Sequence, residues 1–168
     1  TGGLGYIGSH TVVALHEAGF NVIIIDNCSN SSPEFLNRIA KIIGHIPVFY
    51  NVDVCNTTKV SEIFKQYEIA GIIHFAAYKA VGELVNEPLK YYRNNIDGLL
   101  SLLEVLGENS NSNLVFSSSC SVYGDASIQP VNEETPLAKA QSPYAHTKQV
   151  GEEILAATCF AHSHLNVT

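Results

Sequence analysis

The chain has 168 residues, 16 of them acidic against 9 basic for a formal net charge of −7, and 46% of its positions are hydrophobic. Charged residues make up only 15%, below the roughly 25% of an average globular chain, so the composition predicts one reduced, soluble domain with a sizeable core and no electrostatic footprint for nucleic acid or an anionic membrane. No apolar run approaches the roughly 18 residues of a membrane span, and Cys28, Cys55, Cys120 and Cys159 lie too far apart for a zinc ribbon or a disulfide scaffold.

The first eight residues, Thr1-Gly2-Gly3-Leu4-Gly5-Tyr6-Ile7-Gly8, fit a glycine fingerprint in two registers, Gly3-x-Gly5-x-x-Gly8 and Gly2-x-x-Gly5-x-x-Gly8. Glycines at this spacing let the backbone turn tightly and approach a pyrophosphate, whose charge then rests on free N–H groups at a helix N-terminus. A glycine-rich turn without function is the plainer alternative, and one expected confirmation, the strand that should precede the fingerprint, is missing. Residues 9–18 are helical in pattern, with Gly19 where a helix stop belongs. Asn21-Val22-Ile23-Ile24-Ile25 is a β-branched run suited to a buried parallel strand. Asp26 follows it, where a carboxylate hydrogen-bonds the hydroxyls of an adenine ribose and repels the extra phosphate of NADP; with no Arg close behind, NAD is favoured.

Further along, 26–32 reads as a polar loop, 33–44 as a helix opened by Pro33, 48–52 as a strand, 57–67 as a helix and 71–76 as a strand. A long helix is expected from about 91 to 106, a surface turn at 109–113, and a strand at 114–116 running into Ser117-Ser118-Ser119. Residues 124–141, with two prolines and little periodicity, form a loop of a length more often functional than idle. The last helix runs from 143 to about 160, and the final residues read as a strand just beginning. This alternation predicts an α/β fold, a doubly wound, Rossmann-like parallel sheet covered on both faces. Residues 1–168 are read as one NAD-binding domain, cut at both ends and lacking its first strand and a downstream substrate domain.

Tyr144-x-x-x-Lys148 places two side chains on one face of the last helix, opened by the cap Ser142 and Pro143. A phenol titrates near 10, and a neighbouring ammonium favours the phenolate and lowers that value. The spacing alone is weak. The serines at the end of a parallel strand strengthen it, since ligands in such sheets bind beyond the carboxyl ends of the strands and a hydroxyl there can relay a proton.

Together the glycine fingerprint, Asp26, the strand-end serines and Tyr144-x-x-x-Lys148 resemble the extended short-chain dehydrogenase/reductase superfamily. Five longer stretches narrow this: Gly5-Tyr6-Ile7-Gly8-Ser9-His10-Thr11, Asp26-Asn27 with Asn30-Ser31, Ile73 through Lys79-Ala80-Val81-Gly82-Glu83, Pro88 through Tyr91-Tyr92-Arg93-Asn94-Asn95, and Phe116 through Tyr123-Gly124-Asp125. They look like the UDP-glucose 4-epimerase family, the Lys79–Glu83 stretch most specifically. The resemblance covers nearly the whole chain and corresponds to the N-terminal half of such an enzyme.

The resemblance implies interconversion of UDP-glucose and UDP-galactose through a transient 4-keto sugar, with NAD held tightly, in galactose metabolism in the cytoplasm. Ser119, Tyr144 and Lys148 would be the catalytic set. Gly2, Gly5, Tyr6, Ile7 and Gly8 would hold the pyrophosphate, Asp26, Asn27, Asn30 and Ser31 the adenosine ribose, and Asp53 and Val54 the adenine. Phe75, Ala76, Ala77, Lys79 and Asn94 would line the cofactor further along, where Tyr144 and Lys148 also reach it. Lys79, Ser119, Ser121 and Tyr144 would face the substrate. A homodimer is implied, through the helices at 91–106 and 143–160. Among the departures from the family's pattern, Tyr78 threatens to crowd the cofactor side. The place of the acid pair of nucleotide-sugar dehydratases is taken by Ser119-Cys120-Ser121, which disfavours dehydration.

No metal is expected: Cys159-x-x-His162-x-His164 lies at a helix end. The Asn-x-Ser/Thr matches are read as chance. Two alternatives stay open, another NAD-dependent nucleotide-sugar oxidoreductase or epimerase, and a non-catalytic dinucleotide-binding fragment. The isolated 168 residues are expected to have little or no activity.

Overall fold

The computed structural model describes residues 1–79, 87–107 and 113–168. The expected turn at 109–113, apart from Asn113, and all but the first residue of the Lys79–Glu83 stretch lie outside the described residues.

Two short apolar runs pair in parallel as β1 (Ile23–Asp26) and β2 (Val48–Asn51), with Asp26 opposite Asn51. A second parallel group has the order β3 (Gly71–His74), β4 (Asn113–Phe116), β5 (Asn166–Val167). Residues 1 and 2 join the groups. Gly2 N–H donates to the Ile25 carbonyl at 2.8 Å, the Thr1 ammonium to Ile73 O at 2.7 Å, and Phe75 N–H to Thr1 O at 3.1 Å. The strand missing from the sequence pattern is therefore represented by two residues that bond both neighbours. Across the molecule the order is β2, β1, residues 1–2, β3, β4, β5, the arrangement of a doubly wound sheet.

Adjacent residues of a strand point to opposite faces. Ile24 packs with Leu4, Val12 and Ile39, under α1 (Tyr6–Glu17) and α2 (Glu34–Ile43). Ile25 packs instead with Val60, Ile72, Leu102, Leu114 and Leu155, on the side of α3 (Thr57–Phe64), α5 (Gly98–Gly107) and α6 (Pro143–Ala161). Helices thus cover both faces.

Element ends differ from the sequence reading for local reasons. α1 begins at Tyr6 rather than 9, because extended Gly5 is its N-cap and Ser9 N–H already bonds the Gly5 carbonyl at 2.9 Å. α3 ends at Phe64, not 67. The expected long helix starts earlier, as α4 (Pro88–Tyr92), with Pro at its first turn. It passes through a π-helical segment (Arg93–Asp97) before continuing as α5. Ser142 caps α6 as expected, accepting from Ala145 N–H at 3.1 Å.

Candidate active site

At the carboxyl ends of β1, β2 and β3 one cleft is lined by Gly2, Gly5, Asp26, Asn27, Asn30, Ser31, Val54, Phe75, Ala76, Ala77 and Asn94, together with Ile25, Ser29, Val52 and Tyr78. Eleven of these positions are among those singled out in the sequence for a cofactor; Tyr6, Ile7, Gly8, Asp53, Lys79, Tyr144 and Lys148 are not part of its lining.

The floor of the cleft requires glycine. Gly2 has φ +70°, and a Cβ there would stand 2.6 Å from the Ala76 nitrogen. A Cβ on Gly8 would come within 2.1 Å of the Gly2 carbonyl oxygen. Tyr6, Ile7 and Gly8 precede the first intrahelical bond of α1, so their N–H groups have no partner within the helix, and Gly5 has no side chain to cap them. The Tyr6 and Ile7 side chains turn outward into solvent. A positive helix end over a turn free of side chains fits a pyrophosphate.

Asp26 is buried and oriented by three donors: Leu4 N–H at 3.0 Å, Cys28 N–H at 2.9 Å and the Ser31 hydroxyl at 3.0 Å. A carboxylate has about four acceptor sites, so acceptor capacity remains on Asp26 beyond these three bonds. Asp53 is turned to the loop, accepting from Cys55 N–H at 2.9 Å and the Asn27 amide at 3.1 Å. Burial works to raise its carboxyl, but these donors hold it below the usual value.

Across the sheet, α6 brings Lys148 to the end of β4. The side chain is buried, and its Nζ donates to the Ser117 carbonyl at 2.6 Å. It lies 4.5 Å from the Phe116 ring centre and 5.9 Å from that of Tyr144. Burial pushes the Lys148 ammonium down to about 8, against the opposing pull of the Glu152 charge. Ser119 caps a 3-10 turn (Cys120–Tyr123), its Oγ accepting from Ser121 N–H at 3.2 Å and the Ser121 hydroxyl at 2.9 Å. Both bonds leave the Ser119 proton available for donation. Lys79 is exposed beyond Tyr78.

Asn95 escaped the sequence reading. Buried on the π-helical segment, it accepts from Tyr78 N–H at 2.8 Å and from the Asn94 amide at 2.9 Å. It donates to Tyr78 O and to the Thr147 hydroxyl, both at 3.1 Å, and Thr147 donates on to Tyr144 O at 2.8 Å. One amide thus ties the cleft wall to the helix bearing Tyr144 and Lys148. The only hint was two asparagines inside a helical pattern, where their short amides compete with the backbone. Gln149 was missed too; its amide donates to Val122 O at 2.6 Å and Ala138 O at 2.7 Å, holding the long loop to the 3-10 turn. The Tyr78 ring packs toward α4, 6.0 Å from the Tyr91 ring centre and 5.2 Å from Lys90 Nζ, while the residue also lines the cleft.

Over residues 1–168 the sequence matches the NAD dependent epimerase/dehydratase family. The chain belongs to this family. Among curated members it is 48% identical over 166 residues to a UDP-glucose 4-epimerase of Dictyostelium discoideum, covering 99% of this chain and 48% of that protein. It is 45% identical over 165 residues to a UDP-glucose 4-epimerase of Drosophila melanogaster, covering 95% and 47%. The crystal structure of the Bifidobacterium longum UDP-glucose 4-epimerase in complex with NAD+ and UDP superposes with a TM-score of 0.95 at 38% identity, over 99% of this chain and 50% of that one. The chain spans about half the length of the curated family members it matches.

Proposed function

We propose that the protein carrying this chain is an NAD-dependent UDP-glucose 4-epimerase, interconverting UDP-glucose and UDP-galactose. The observation that carries the reading is the placing of Lys148 on the Ser117 carbonyl at 2.6 Å, beside Tyr144, at the end of β4, on the same carboxyl edge of the sheet as the glycine cradle and Asp26. The likeness to UDP-glucose 4-epimerases over the whole chain supports it.

In this reading residues 1–168 are the dinucleotide-binding domain. Gly2, Gly5 and the N–H groups of Tyr6, Ile7 and Gly8 hold the pyrophosphate. Asp26, with Asn27, Asn30 and Ser31, takes the adenosine ribose; Asp53 and Val54 flank the adenine; Phe75, Ala76, Ala77, Lys79 and Asn94 line the remainder. NAD bound there supplies a hydride acceptor that can return what it takes. Tyr144, as the base, takes the proton of the sugar C4 hydroxyl, with Ser119 donating its free proton to a substrate oxygen. The Lys148 ammonium stands beside Tyr144 and reaches the cofactor, while Lys79 and Ser121 face the nucleotide sugar. The protein works in galactose metabolism in the cytoplasm, as a homodimer, without nucleic acid or membrane partners.

Tyr144→Phe in the full-length protein tests the assignment. Turnover of UDP-galactose should fall by about 100- to 10,000-fold, the contribution of a positioned acid–base group, with NAD still bound. Undiminished turnover refutes it.

A further inference from the structure

Glu152 stands one turn past Lys148 on α6, half-buried. Opposite charges at this spacing on a helix are neighbours and ordinarily pair. Here they do not: among the described residues an ion pair joins Arg93 to Asp97, and none joins Lys148 to Glu152. Each is engaged by one of two consecutive serines at the end of β4. Lys148 Nζ donates to the Ser117 carbonyl, and the Ser118 hydroxyl donates to Glu152 Oε1.

We infer that Ser118 and Glu152 form a positioning pair, in which the Ser118 hydroxyl holds the Glu152 carboxylate away from a direct ion pair, so that the Lys148 ammonium stays on the Ser117 carbonyl beside Tyr144. The carboxylate still acts on Lys148 through space, offsetting part of the cost of burying its charge. The other groups facing Lys148 cannot supply this. From β3 comes His74, buried and held neutral; from β4, the Phe116 ring and the Ser117 carbonyl; from α6 itself, the Tyr144 phenol. The pair's bearing on catalysis rests on the proposed function, but its geometry does not.

Two substitutions should move Lys148 in opposite directions. Glu152→Gln keeps an acceptor for the Ser118 hydroxyl and removes the charge, so the Lys148 titration midpoint should fall by about one pH unit. Ser118→Ala frees the carboxylate to move onto Nζ, so the midpoint should rise by about one unit. A merely structural role gives no such opposition. The midpoint is read by NMR titration of the Lys148 Cε resonance in the full-length protein labelled with 13C-lysine, the resonance being assigned by its loss in Lys148→Met. Shifts of the same sign, or an unmoved midpoint in either variant, overturn the inference. Should Glu152→Gln fail to fold, Ser118→Ala decides alone: a rise supports the pair and no rise overturns it. Since the titration needs no turnover, an unsubstituted protein without epimerase activity would defeat the functional reading while the two midpoint shifts still decide for or against the pair.

Discussion

Lys148 combines two properties that oppose each other, a charge and an interior position. Its Nζ has one carbonyl at 2.6 Å and an aromatic ring face, and burial lowers its ammonium to about 8. If Tyr144 works against a charged Lys148, turnover should decline as pH rises through about 8, when that charge is lost. A pH profile of kcat/KM in the full-length protein checks this; a plateau extending past about pH 9.5 contradicts it. His74 is another buried titratable group, its Nδ1 at 2.7 Å from the Thr1 hydroxyl. Burial first, then the Thr1 ammonium and the Lys148 charge, hold it well below the usual imidazole range. Because the folded value lies below the unfolded one, the stability it contributes is present above about pH 6.5 and is lost as pH falls toward the folded value. Stability should drop by up to about 1.4 kcal/mol per pH unit below about 6.5, and His74→Gln should flatten that slope in denaturant titrations. At this scale Tyr144, Lys148 and Asp26 were legible, because helical spacing and a strand-end acid are local patterns. Their partners, Ser117 O for Lys148 and Leu4 N–H for Asp26, are distant in sequence and were not.

Among the elements, the glycine turn and the π-helical segment differ in how plainly the sequence announces them. Gly2 and Gly8 are legible because nothing else fits: each Cβ would collide with backbone. Gly8→Ala should destabilise by about 1–3 kcal/mol, the usual range for overpacking, and should weaken NAD retention together with stability. Thermal melts with and without NAD check both effects. The π-helical segment was not legible, since its pattern differs from an ordinary helix by one extra residue per turn, and apolar spacing around 91–106 tolerates that. It places Asn94 in the cleft and Asn95 between Tyr78 and Thr147, and such bulges are frequent at functional sites. Asn95→Ala leaves those groups unpartnered and should cost about 2–3 kcal/mol. Activity should fall more than binding, because the link to Tyr144 is broken while Asp26 is untouched. A lowered kcat with retained NAD is the expected signature.

Over the whole molecule, the doubly wound sheet was legible from strand–helix alternation, and the switch of Ile24 and Ile25 between two cores bears this out. The role of residues 1–2 was not, because two residues carry no periodicity; only their bonds to Ile25, Ile73 and Phe75 reveal a place in the sheet. That place puts the glycine turn between β1 and β3, where strand order reverses and ligands bind in such sheets. Every catalytic role proposed for this chain therefore depends on a dinucleotide lying in that cleft with its ribose on Asp26. Quantifying nucleotide released by acid from the purified full-length protein tests this most directly. Near-stoichiometric NAD is predicted, with Asp26→Ala recovered largely empty; a protein that carries no NAD, and takes up none in calorimetric titration, would contradict it.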